Sequence, residues 1–217
     1  MTTYEDIAKA LSIQGFMPRG GFHPTATDDA PGQTILIIGN AGPAMWRAYS
    51  QACEAGGPTP LDAWTQRVLD PIAATFGAHA IFPFNGPPYT PFLRWAIKAE
   101  PVHISPTRMT IHPEYGLWHA YRGAFIFDEK LELPPYEPGV SPCVDCADQP
   151  CLSACPVNAF SATRYDVDSC AAHVRVSASA DCPTQGCRAR RACPIGQDYL
   201  YAPNQAAFHM AAFLKNR

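Results

Sequence analysis

Apolar residues first recur at helical spacing. Ile7, Ala8 and Leu11 share one face of residues 4 to 14, and Gly15 stops the run. Between Gly32 and Gly39 the pattern changes. Gln33 to Ile38 is β-branched and uninterrupted, which predicts a buried strand. Pro43 then opens a helix over Ala44 to Ala55, since proline is tolerated at the first helical position. A second start lies at Thr59-Pro60-Leu61-Asp62: a capping threonine, a proline and an acid in the first turn. Its expected buried face is Ala63, Val68 and Ile72, with Pro71 as its kink or end. Further along, Ala80 to Phe84 predicts a strand and Pro91 to Ala99 a helix. Strands over Thr107 to Ile111 and Leu117 to Phe127 flank the turn His112-Pro113-Glu114-Tyr115-Gly116. Gly39-Asn40-Ala41-Gly42 lacks the spacing of a phosphate-binding loop and reads as a turn.

After this point the texture changes. Pro134, Pro135, Pro138 and Pro142 crowd one short stretch, and proline removes backbone donors and favours extended chain. The expected organisation is an N-terminal domain over 1–132, a linker over 133–142 and a C-terminal domain over 143–217. The last domain reads as short loops around cysteines and a closing helix from Asn204 to Leu214, packed through Ala206, Phe208, Ala212 and Phe213.

With 217 residues, 47% of them hydrophobic, the chain can bury a substantial core. A formal net charge of −3 offers no electrostatic basis for binding nucleic acid. No apolar run approaches the ~20 residues that span a bilayer. Met1 to Ala10 has acids and no basic segment before an apolar one, which predicts no secretory signal and a cytoplasmic protein.

The cysteines alter this picture. Eight of the nine lie between Cys143 and Cys193, and the ninth, Cys53, sits in a predicted helix as an ordinary buried thiol. A disulfide framework would spread its cysteines through a small secreted domain, so this clustering favours metal ligation in a reducing compartment. The first group is Cys143-Val-Asp-Cys146, then Cys151, then Cys155 followed by Pro156. Closely spaced cysteines of this kind can reach the irons of one cubane from a tight turn. Zinc is the competing reading, but a four-cysteine zinc site usually brings two CxxC pairs and only one is present. The second group, Cys170, Cys182, Cys187 and Cys193 before Pro194, is looser. Its count and closing Cys-Pro favour a second cubane, against a single cluster with the later cysteines as bystanders.

The first group resembles the bacterial ferredoxin run, with Gln149 and Pro150 as extra residues before the third cysteine. The second, a lone cysteine, a long insertion and then cysteines ending in Cys-Pro, resembles the second cluster of epoxyqueuosine reductase and related cobalamin-dependent reductases. The resemblance implies two [4Fe–4S] clusters with exchanged fourth ligands. Cys143, Cys146, Cys151 and Cys193 would then hold one, and Cys155, Cys170, Cys182 and Cys187 the other. Arg188, Arg190 and Arg191 lie among these cysteines. They would raise a cluster's potential, dock an acidic redox partner protein or form a solvated face.

The segment from Thr110 to Ile126 contains His112-Pro, Gly116, and Trp118-His-Ala-Tyr121-Arg122-Gly123 before an apolar strand. It is similar to a segment of cobalamin-processing proteins of the cblC type, as are Pro31 to Leu36 and Gly42 to Trp46. This resemblance implies an α+β fold with a nitroreductase-like N-terminal domain of antiparallel sheet and helices, and the cysteine resemblances imply a small ferredoxin-like two-cluster domain after it. It also implies a corrinoid in a cleft, with His112, Tyr115, Gly116, Trp118, Tyr121 and Arg122 as candidate contacts. By their own chemistry, Trp118 also suits a core position, His112 a structural role and Arg122 an ordinary ion pair. The expected function is iron–sulfur electron transfer to cobalamin. The alternatives are a ferredoxin-type carrier with no substrate of its own and a flavin-dependent reductase.

Overall fold

A computed structural model of the chain describes residues 2–57, 59–161, 164–176 and 181–215. In chain order the first elements are α1 (Tyr4–Ser12), β1 (Met17–Phe22), β2 (Thr34–Ala41), α2 (Ala44–Gly56), α3 (Leu61–Thr75), β3 (His79–Ile81) and α4 (Phe92–Ala99). There follow β4 (His103–Ile104), β5 (Thr110–Ile111), β6 (His119–Phe127), α5 (Pro150–Ser153), α6 (Val167–Val176), α7 (Cys182–Gln185), α8 (Arg188–Arg191) and α9 (Pro203–Lys215). Contacts divide the chain into two compact units. One is Met1–Pro101 with His119–Pro138, and the other is Val102–Trp118 with Gly139–Arg217.

The first unit is built on an antiparallel sheet in the order β1-β2-β6-β3. β2 is central and buried along nearly its whole length, which accounts for its unbroken apolar run. It pairs with β6 from Thr34↔Phe127 to Ala41↔His119, with an irregularity between Ile38 and Gly39. A Cβ at Gly39 would run into the carbonyl of Ala120, so glycine is required there. The strand therefore continues through Asn40 and Ala41, where the sequence reads as a turn, and the turn begins only at Gly42. β1 has no sequence signal, because Pro18, Gly20 and Gly21 all disfavour strands. It forms as an edge strand, with a register shift between Pro18 and Gly21.

Helices cover this sheet. Thr3 caps α1 by accepting the Asp6 N–H, and Ile7 and Leu11 are buried one turn apart. α3 runs through Pro71 to Thr75 rather than ending there. Pro71 is exposed, so the missing hydrogen bond falls on the solvent side. Its buried face is Leu61, Trp64, Thr65, Leu69 and Ala73, whereas Ala63 is exposed. The larger side chain decides this rotation: Trp64 packs at 5.4 Å from Phe16 and 5.5 Å from Tyr49, ring centre to ring centre. The core under α4 gathers Phe22, Ile35, Ile37, Phe92, Trp95 and Ile126.

One charged pair lies inside this unit. Arg19 Nε donates to Glu100 Oε2 at 2.9 Å, and the Tyr121 hydroxyl donates to Oε1 at 2.7 Å. Arg19 also donates to the Asn40 carbonyl at 3.2 Å. Buried charges persist only when paired and hydrogen-bonded in this way. Burial nonetheless pushes the Glu100 carboxyl above its ordinary value, although Arg19 and Tyr121 oppose the shift.

The second unit has one two-stranded sheet, β4 with β5, and short helices between cysteines. α6 was not legible in sequence, which reads as loops there. Asp166 caps its start, accepting the Ser169 N–H at 3.1 Å and its hydroxyl at 3.0 Å. In α9, Gln205 and Ala206 are buried while Ala212 is exposed, so only part of the expected apolar face is used. Among the described residues no helix is long and apolar enough to cross a membrane.

Candidate functional site

All eight clustered cysteines lie in the second unit, and none of the nine in the chain is in a disulfide. Cys143 and Cys146 occupy the chain before α5, Cys151 lies within α5, and Cys155 follows it. Cys170 projects from α6, Cys182 opens α7, Cys187 precedes α8 and Cys193 follows it. The tertiary structure sorts these residues into two sets of four. Cys143, Cys146, Cys151 and Cys193 line a small cavity of about 20 Å³, walled by Ile111 and Leu117. Cys155, Cys170, Cys182 and Cys187 line a larger one of about 230 Å³.

Electrostatics follow the same division. Burial raises the thiol pKa values of Cys143, Cys151, Cys170 and Cys193, and pushes Cys187 up to about 11. The neighbouring thiols that add to each shift belong to the same set of four: Cys193, Cys143 and Cys146 for Cys151, and Cys155 and Cys182 for Cys170. The Ala159 N–H already donates to Cys155 Sγ at 3.3 Å. Among the described residues, no three His, Cys, Asp or Glu side chains are gathered closely enough to hold a single metal ion.

Two devices hold the cavity walls. The Asp181 carboxylate accepts from Arg188 Nε at 2.6 Å and from an Arg191 terminal nitrogen at 2.5 Å, tying together the chain that carries Cys182 and Cys187. Arg190 donates twice to the Leu117 carbonyl, at 2.9 and 2.5 Å. All three arginines therefore have internal partners.

The six candidate corrinoid contacts fall in both units. His112, Tyr115, Gly116 and Trp118 belong to the second, Tyr121 and Arg122 to the first. His112 Nδ1 accepts the N–H groups of Glu114 and Tyr115 at 3.1 and 3.3 Å, so the proton of the neutral ring sits on Nε2. Its ring stacks on Tyr115 with centres 4.3 Å apart. Gly116 pairs with His112 across the turn, and a Cβ there would collide with the Ile195 carbonyl. Trp118 is 2% exposed and lines the larger cysteine cavity. Arg122 donates to Asp62 at 2.6 Å and to the Thr65 hydroxyl at 3.0 Å, an ordinary ion pair. Sequence reasoning missed His173, which lies three residues beyond Cys170 on α6 and lines the same cavity. That spacing would have signalled it had the helix been recognised.

No protein-family model matches this chain, and no curated protein sequence is similar to it. Solved structures are similar. Epoxyqueuosine reductase from Streptococcus thermophilus superposes with a TM-score of 0.55 at 14% identity, over 95% of this chain and 70% of that one. An epoxyqueuosine reductase crystallised with an epoxyqueuosine-modified tRNA-Tyr stem loop gives 0.53 at 13%, over 93% and 69%. The C. elegans B12-trafficking protein CblC, a homologue of human MMACHC, gives 0.52 at 14%, over 97% and 94%. At these identities the likeness is one of fold: helices with an antiparallel sheet, similar to both epoxyqueuosine reductase and CblC.

Proposed function

We propose that this chain is an iron–sulfur electron-transfer protein, with two [4Fe–4S] clusters in its second unit and a corrinoid as the substrate it reduces. The observation that carries the reading is the sorting of eight cysteines into two sets of four, each around its own cavity. An all-sulfur set of four is the donor set such clusters take. A single zinc ion at about 2.3 Å from each sulfur would instead need its thiols drawn close together. When bound, the clusters supply one-electron transfer at potentials reaching about −700 mV at the low end.

The chain's own part is to hold the thiols in place and keep water away. Asp181 with its two arginines fixes the Cys182–Cys187 loop, and the apolar side chains of Val157, Phe160 and Ala189 around Cys155 dry the larger cavity. A redox partner protein would deliver the electrons. The corrinoid assignment is supported by the fold shared with a B12-trafficking protein and by the segment from His112 to Gly123.

Anaerobic reconstitution should give about eight irons per chain, since each cubane holds four. Titration with cob(II)alamin should then change its optical spectrum on binding, and reduced protein should reduce it. Folded, loaded protein that shows no corrinoid binding at ~100 μM, about 5.5 kcal/mol, would leave an electron carrier without its own substrate. Yellow protein as isolated would point to flavin.

A further inference from the structure

We infer that the two clusters are unequal. The one in the larger cavity has the higher potential, set by N–H bonds to its sulfurs from the ring nitrogens of His173 and Trp118. This rests on the two-cluster reading above. Among the described residues, Trp118 Nε1 and His173 Nε2 are both buried without a hydrogen-bond partner, and both side chains line this one cavity. A buried donor left unpaired is destabilising, so an acceptor is expected at each. The cavity wall is largely apolar there, with Val174, Met210 and Phe213 among its residues. The acceptors available in quantity are sulfurs.

Geometry supports the assignment. His173 stands three residues from Cys170 on α6, which puts the two on the same helix face. Trp118 is held in place by Arg190, whose guanidinium carbon lies 4.5 Å from its ring centre, and by Tyr201, whose ring centre lies 5.4 Å away. Arg190 itself lines the cavity and adds a positive charge.

Hydrogen bonds to the sulfurs and nearby positive charge both stabilise the more negative, reduced cluster and so raise its potential. Backbone N–H groups act on both sets of four, through Ala159 onto Cys155 and through Ile195 onto Cys193. The side chains differ in number: Ser141 bonds Cys143 in the smaller set, and Tyr165 bonds Cys170 in the larger, where the two buried ring nitrogens come in addition. The polar side chains lining the smaller cavity, apart from its cysteines, are Ser105 and Gln149, and neither has a buried unpartnered atom. Ser105 already bonds the Met109 carbonyl at 2.8 Å.

The test is a redox titration of the reconstituted full chain followed by EPR, with iron measured in parallel. Cys143→Ser identifies which signal belongs to the smaller cavity. The other signal should have the higher midpoint. His173→Leu and Trp118→Phe should each lower that midpoint by a roughly tenfold change in its reduction equilibrium, about 59 mV for one electron. The midpoint of the cluster in the smaller cavity should stay in place. His173→Gln keeps an N–H donor and should restore most of the shift, which a purely structural role would not do. Equal or reversed midpoints in the wild type overturn the inference, as do variants that move both signals or neither. A count of four irons or none would instead remove the two-cluster reading, and the inference with it.

Discussion

Arg190 is wedged between two aromatic rings, its guanidinium carbon 4.5 Å from the centre of Trp118 and 4.4 Å from that of Tyr201. Its nitrogens meanwhile donate to the carbonyl of Leu117, the residue before Trp118. One side chain thus joins α8, which lies between Cys187 and Cys193, to the segment ending at Trp118.

Arg190→Lys should be disruptive despite keeping the charge. Lysine lacks the planar fork that stacks and donates twice to one carbonyl. Losing a charged hydrogen bond and weakening two cation–π contacts should cost about 2–3 kcal/mol. Thermal unfolding of wild type and variant under anaerobic conditions checks this. Equal midpoints would show that the stacking contributes nothing.

Serine substitutions should separate the two sets of thiols. Cys146→Ser and Cys193→Ser should impair one EPR signal, and Cys170→Ser and Cys187→Ser the other, while Cys53→Ser leaves both. Loss in Cys193→Ser of the signal that Cys170→Ser impairs would contradict the grouping of Cys193 with Cys143, Cys146 and Cys151.

Gly116→Ala should damage the second unit. Gly116 has φ of 56°, a conformation costing other residues roughly 1–2 kcal/mol, and a Cβ would also meet the Ile195 carbonyl. The loss should exceed the conformational cost alone. Near-ultraviolet circular dichroism and iron retention are the measurements, with Gly77→Ala as the control: Gly77 also has positive φ, but open space surrounds it.

Asp28 should shape the acid limb of stability. It accepts from Lys98 and from the Thr25 N–H and hydroxyl, and these hold its carboxyl down at about 2, against an ordinary 3.8. A lowered carboxylate pKa stabilises the fold above the unfolded value, and that contribution fades as pH falls through the folded one. Wild type should therefore lose stability between about pH 4 and pH 2 more steeply than Asp28→Asn. Denaturant midpoints across that range decide it, and parallel curves would rule it out.

Much of the first unit can be read from its residues. The apolar run of β2 and the cap of α1 depend on neighbours a few positions away, so local pattern suffices for them. α3 shows where pattern fails: its face is chosen by Trp64 meeting Phe16 and Tyr49, and no helical spacing reveals which distant rings will be there. β1 fails for a related reason, since only pairing with β2 makes a strand of Met17–Phe22.

The candidate site divides in the same way. That eight cysteines crowd the last third of the chain, with one CxxC and a proline after Cys155, Cys182 and Cys193, is legible in the sequence, because these are properties of order and spacing. The sequence by itself also determined the turn from His112 to Gly116, closed by backbone bonds within five residues. Only the tertiary structure decided that Cys155 faces a different cavity from Cys151 four residues earlier, and that Cys193 shares one with Cys143 fifty residues before it. It alone brought Trp118, His173 and Arg190 to one wall. The reason is physical: a cavity is defined by side chains that converge from separate helices, and their convergence is set by packing, which spacing along the chain does not encode.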